Sequence, residues 1–167
     1  LRRGMVAIFC YVGAEVAIGS LIISFLGLGS VMGLPEDSSK HYLSLYWGGA
    51  MTGRFLGAVA LNASINQGKK IGYMLLVGAA MFTLLCALNA TGSFDVIAFW
   101  PLAILIVANM AAFLVVGPNP SRALGLFSLA AIALLVLVVA AEGPLAMWAI
   151  IAIGLFNSIL LSNIFTL

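Results

Sequence analysis

Six apolar blocks, each about as long as a bilayer is thick, leave this chain few ways to fold. They run over residues 5 to 28, 42 to 63, 71 to 90, 96 to 116, 121 to 141 and 144 to 167, and a helix needs about 20 such residues to cross. Lipid offers no partner for backbone polar groups, so only helices and closed barrels span it. A barrel would show segments of about 10 residues with alternating polarity, and these blocks do not alternate. The fold class is therefore all-α integral membrane, a six-helix transmembrane bundle. Charge content agrees: 7% of the 167 residues are charged, against about 25% in a soluble domain. The spans use nearly the whole chain, so residues 1 to 167 form a single partial transmembrane domain. Because the chain opens on Leu1 and stops at Phe165-Thr166-Leu167 without a polar tail, we expect a piece of a longer protein.

Several function classes drop out. Arg2 and Arg3 precede an apolar stretch, but that stretch is longer than the ~7–15 residues of a signal-peptide core, carries Glu15, and is followed by five more spans. Cys10 and Cys86 lie inside apolar spans with no ligand or redox spacing, and are read as packing residues without a disulfide. His41, beside Lys40, is read as a solvated loop residue. No nucleophile with its base, phosphate-binding Gly loop or zinc site stands out, so no cofactor, metal or enzyme activity is expected. The net charge of +2 is too small and scattered for nucleic acid.

The basic residues instead report topology. Arg2 and Arg3 precede the first span, Lys69 and Lys70 lie between the second and third, and Arg122 follows the fourth. The opposite loops hold Lys40 with Glu36, Asp37, Asp95 and Glu142. The positive-inside bias then places the N-terminus in the cytoplasm, and an even number of spans returns the C-terminus there. Pro144 marks the start of the sixth helix, and Ser121 is the expected cap of the fifth.

Within this bundle, Glu15 is the residue that needs a reason. It sits near the middle of the first span, where a charge costs roughly 2.5–3.5 kcal/mol and usually faces a bundle interior, a cavity or a partner. Transport follows as one reading, and a structural, hydrogen-bonded Glu as the other. Tyr11, Glu15 and Gly19 recur every four residues and share a face, with Ser20 and Ser24 on an adjacent edge. On the second span, Gly49, Gly53 and Gly57 repeat at the same interval. They read first as a close-packing surface and second as a gliding one. Arg54 lies ~14 Å from the cytoplasmic end of its helix and Glu15 ~15 Å from the same side, at about 1.5 Å per residue. The two could pair, or Arg54 could snorkel along its aliphatic stem; we expect snorkelling. Tyr46 and Trp47, one turn inside the second span, suit either an interfacial belt or stacking on a sugar ring. Asn157, Ser158, Ser162 and Asn163 on the last span could bond hydroxyls or join helices.

The strings Tyr11-Val12-Gly13-Ala14-Glu15-Val16-Ala17-Ile18-Gly19-Ser20, Tyr42 to Phe55 and Ala152-Ile153-Gly154-Leu155-Phe156-Asn157-Ser158-Ile159 together resemble the C-terminal half of the fucose and glucose/galactose branch of the major facilitator superfamily. The resemblance implies that the first span here corresponds to the family's seventh helix, the second to its eighth and the last to its tenth. The first six helices and last two would then be missing. Between the second span and Asn157 the shorter family members have one crossing and this chain has three, as in longer members. Leu161-Ser162-Asn163 stand where an aromatic, Pro and Thr are usual, which removes the family's stacking ring and the proline of its helix break. The resemblance further implies a bacterial inner-membrane protein that takes up a hexose or fucose with a proton by alternating access. Its partners would be the lipid bilayer and the missing N-terminal half. The proton-coupling carboxylates would belong to that half, leaving Glu15 as a sugar-hydroxyl acceptor with Tyr11, Tyr46, Trp47, Asn157 and Asn163 as further substrate-binding candidates. The alternative is a small structural or accessory multi-pass membrane protein.

Overall fold

A computed structural model describes residues 2 to 90 and 96 to 166, so Asp95 of the orientation argument lies outside the described residues, as do Leu1 and Leu167. The helices are α1 (Arg2–Leu26), α2 (Glu36–Ala60), α3 (Gln67–Asn89), α4 (Trp100–Val116, preceded by a 3-10 turn over Val96–Phe99), α5 (Pro120–Ala140), α6 (Gly143–Asn157) and α7 (Leu160–Thr166). They make six crossings, α6 and α7 sharing the last, an arrangement consistent with part of a major facilitator superfamily fold. Among the described residues, Gly4–Leu26, Gln67–Asn89 and Pro120–Ala140 are long and apolar enough to span by themselves. α4 and α6 are shorter, and α2 is diluted by polar residues.

The apolar blocks locate the helices, but several helix ends lie away from the block boundaries. α2 starts at Glu36 rather than at residue 42. Pro35, at φ −65° and ψ 157°, is its N-cap residue, and Glu36 and Asp37 in the first turn suit the positive end of the helix dipole. His41 is consequently helical and half-buried rather than a solvated loop residue. Its Nδ1 lies 3.0 Å from Oδ1 of Asn89 on α3. Asn89 Nδ2 donates to Leu85 O at 2.8 Å and to Ser44 Oγ at 3.3 Å, which fixes the amide so that Nδ1 of His41 is the donor. Lys70 lies in α3 rather than in a loop. It is buried, and its Nζ donates to Ala60 O, the last carbonyl of α2, at 2.7 Å, meeting both the orphan carbonyl and the negative helix end. At α5 the cap is Asn119, not Ser121: its side chain accepts from the N–H groups of Ser121 and Arg122.

α2 is the hub, packing against α1, α3, α4 and α6, while α5 packs on α6 and α7. Among the described side chains of α1, one stripe is buried: Tyr11, Glu15, Gly19, Ile22 and Leu26. Its outward face presents Met5, Phe9, Val12 and Val16, an apolar surface suited to lipid. α4 and α5 are part of the core. Phe113 of α4, Phe127 of α5 and Phe156 of α6 stack in series at centroid separations of 4.5 and 5.8 Å.

Three glycines spaced by four do not do the same job. A Cβ on Gly49 would meet Leu155 at an ordinary 3.7 Å. One on Gly53 would collide with Leu155 O and Ser158 Oγ, and one on Gly57 with the end of Ile159. Only at Gly53 is the obstacle backbone.

Candidate functional site

Glu15 and Arg54 form an ion pair, with Arg54 Nη2 donating to Glu15 Oε1 at 2.7 Å. This corrects the expectation that Arg54 snorkels away. Antiparallel α1 and α2 bring the two residues to one depth, and the buried stripe of α1 turns Glu15 toward α2. Exposure is unequal: 9% for the Glu15 side chain and 45% for that of Arg54. The carboxylate is therefore enclosed, while the guanidinium keeps an open side and most of its five donors.

Aromatic residues frame the pair. Tyr46 and Arg54 are two turns apart on α2, and both reach residue 15: the wholly buried Tyr46 hydroxyl donates to the Glu15 backbone oxygen at 3.1 Å. Those two bonds fix the register of α1 on α2. Tyr11, one turn before Glu15, has its hydroxyl within electrostatic reach of both charges and buried without a hydrogen bond of ordinary geometry. Trp47 lies over Gly19, where a Cβ would come within 2.6 Å of the indole. It meets Tyr46 edge-on at 5.3 Å and leaves 42% of its surface exposed.

Of the residues singled out from sequence, the structure thus assembles Tyr11, Glu15, Tyr46, Trp47 and Arg54 along the α1–α2 seam. Gly49, Gly53 and Gly57 face the other way, toward α6 and the turn of Ser158 and Ile159 that follows it. Asn157 and Asn163 are buried at the end of α6 and within α7, and α7 packs on α1. Ser20 and Ser24 are exposed, and the Ser20 hydroxyl is spent on Ala17 O at 3.0 Å. The side chain of Ser162 lies outside the described set. Asn109, fully buried on α4, is absent from the sequence reading. The signal was available, since a lone amide inside an apolar span raises the same question as Glu15. Among the described residues no three His, Cys, Asp or Glu side chains converge as metal ligands would.

These features define a class first: an all-α, multi-pass membrane protein with an ion pair between α1 and α2 whose carboxylate is enclosed and whose guanidinium is half-open. Comparison with known proteins gives the narrower statement. Over all 167 residues the chain is 33% identical to a glucose/galactose transporter of Brucella abortus, of which it spans 27%. Over 136 residues it is 38% identical to a putative glucose/galactose transporter of Helicobacter pylori, with 76% of the chain and 31% of the relative covered. No family model and no solved structure matches. The chain is homologous to glucose/galactose transporters and spans about 27–31% of the length of these relatives. Nothing in them supports the fucose side of the resemblance.

Proposed function

We propose that this chain is part of the C-terminal half of a secondary active hexose transporter of a bacterial inner membrane, working with an N-terminal half by alternating access. The observation that carries this reading is the Glu15–Arg54 pair, placed mid-depth in a chain homologous to glucose/galactose transporters. A charge at such depth is costly unless paired, and a pair with one partner half-open retains unused donors and acceptors for a sugar.

Each group then has a task. Glu15 accepts sugar hydroxyls, because a carboxylate offers about four lone-pair sites and one Arg54 contact does not exhaust them. Arg54 orients that carboxylate and donates to ring or hydroxyl oxygens. Trp47 offers an indole face to an apolar sugar face. Tyr11 places a buried hydroxyl beside both charges of the pair, where it can turn to a substrate hydroxyl. The proton that drives uptake is carried by carboxylates of the N-terminal half, and the N-terminus of this chain faces the cytoplasm. Midplane sites between two halves are what alternating access requires.

The test is uptake of labelled glucose and galactose by the full-length protein in vesicles, with and without an imposed proton gradient. Saturable uptake that rises with the gradient is expected. Absence of saturable uptake of any hexose would refute the reading, and uptake indifferent to protons but dependent on sodium would replace the coupling ion alone.

A further inference from the structure

The last span is interrupted where the sequence has no proline. α6 ends at Asn157 and α7 begins at Leu160, leaving Ser158 and Ile159 in a turn. In an unbroken helix the carbonyl of Leu155 would accept from the N–H of residue 159. Here it accepts from the Ser158 hydroxyl at 2.9 Å and from Asn109 Nδ2, reaching across from α4, at 3.4 Å. Such side-chain bonds compete with the helical ladder. Gly53 of α2 backs onto the same spot, where a Cβ would strike Leu155 O and Ser158 Oγ. Three helices therefore converge on one carbonyl.

Asn109 is an expensive residue for packing alone. It is 0% exposed, and its Oδ1 is buried without a hydrogen-bond partner, a penalty that an apolar side chain of the same size would not carry. We propose that Asn109 is a positioning residue: it holds the interruption between α6 and α7, and thereby sets where Asn157 and Asn163 stand relative to α1 and the Glu15–Arg54 pair. Gly53 contacts the interruption and Arg54, its neighbour in sequence, holds Glu15, so the two features lie at one level of α2. The assignment takes its consequence for sugar from the transport reading, while its structural half is independent of it.

The experiment uses the full-length transporter with Cys10 and Cys86 replaced, and spin labels at Leu145 and Leu161 on either side of the interruption. Asn109→Leu should shift or broaden the distance distribution, Ser158→Ala should do so in the same direction, and Asn109→Gln, which keeps a donor, should stay near wild type. Equilibrium hexose binding, normalised to folded protein, should weaken at least about fivefold for Asn109→Leu and less than twofold for Asn109→Gln. A wild-type distance distribution in both Asn109→Leu and Ser158→Ala overturns the proposal. So does a shifted distribution with unchanged hexose affinity. If Asn109→Leu does not fold, Ser158→Ala alone decides between these outcomes. If the parent protein binds no hexose, the transport reading fails while the spin-label distances still judge Asn109.

Discussion

The three glycines of α2 look identical in sequence and should respond differently to the same substitution. Replacing a helical Gly by Ala gains about 1 kcal/mol of helix propensity, so the sign of each change depends on what the new methyl meets. At Gly49 it meets Leu155 at 3.7 Å, an ordinary contact, and Gly49→Ala should be neutral or stabilising by up to about 1 kcal/mol. At Gly53 it meets a backbone oxygen and the Ser158 hydroxyl. Overpacking of this kind costs about 1–3 kcal/mol, and loss of the Ser158 bond to Leu155 adds about 1 kcal/mol. Gly53→Ala should therefore lose roughly 1–3 kcal/mol after the propensity gain is subtracted. Gly57→Ala should fall between them, since the end of the Ile159 side chain can move aside. Thermal unfolding of the full-length protein in detergent, followed by size-exclusion fluorescence, gives the ranking. Equal effects at all three positions, or Gly49→Ala as the worst, would show that α2 does not pack on α6 as described.

Other consequences are equally specific. Lys70→Met should destabilise by about 1–2 kcal/mol, because it removes a buried cation from the last carbonyl of α2; the exposed Lys69→Met is the control, and equal melting temperatures would refute the cap. Asp37 is held below the ordinary carboxylate range, first by its hydrogen bond from Lys40 and then by that charge. Its contribution is present above the ordinary carboxylate pKa and is lost as pH falls through the depressed one. Lys40→Ala should return the Asp37 carboxyl to its usual range in a carbon-13 NMR titration without altering the melt at neutral pH. Arg54→Leu should leave Glu15 enclosed and unpaired, at a cost below the 3–5 kcal/mol typical of a fully buried pair because Arg54 is half-exposed. Adding Glu15→Gln should recover part of that loss, and strict additivity in the double variant would argue against the pair.

The crossings were legible in the sequence because hydropathy over about 20 residues answers directly to bilayer thickness. What it missed was polar. Glu36 to His41 read as loop because hydropathy registers the membrane core and not a helix that projects beyond it. Lys70 read as a loop cation because its value for topology hid its use as a cap. The shared depth of Glu15 and Arg54 followed from helical rise, but pairing rather than snorkelling depends on the rotation of α1 against α2. That rotation is set by Gly19 under Trp47 and by the Tyr46 bond. The interruption at Ser158 and Ile159 carries no proline and arises from tertiary contact with Asn109 and Gly53. A one-dimensional reading has no access to such contacts.

The most direct test of the account is hexose affinity of Glu15→Gln and Glu15→Leu in the full-length protein, with surface expression measured on the same samples. If Glu15 meets the sugar, Glu15→Gln reaches the membrane at normal levels with weakened affinity. Glu15→Leu weakens it further, by a penalty of about 1–3 kcal/mol for an unpaired hydroxyl, or roughly tenfold and upward. Unchanged affinity in both variants at normal expression would remove Glu15 from the sugar site and leave the pair with Arg54 as a packing device alone.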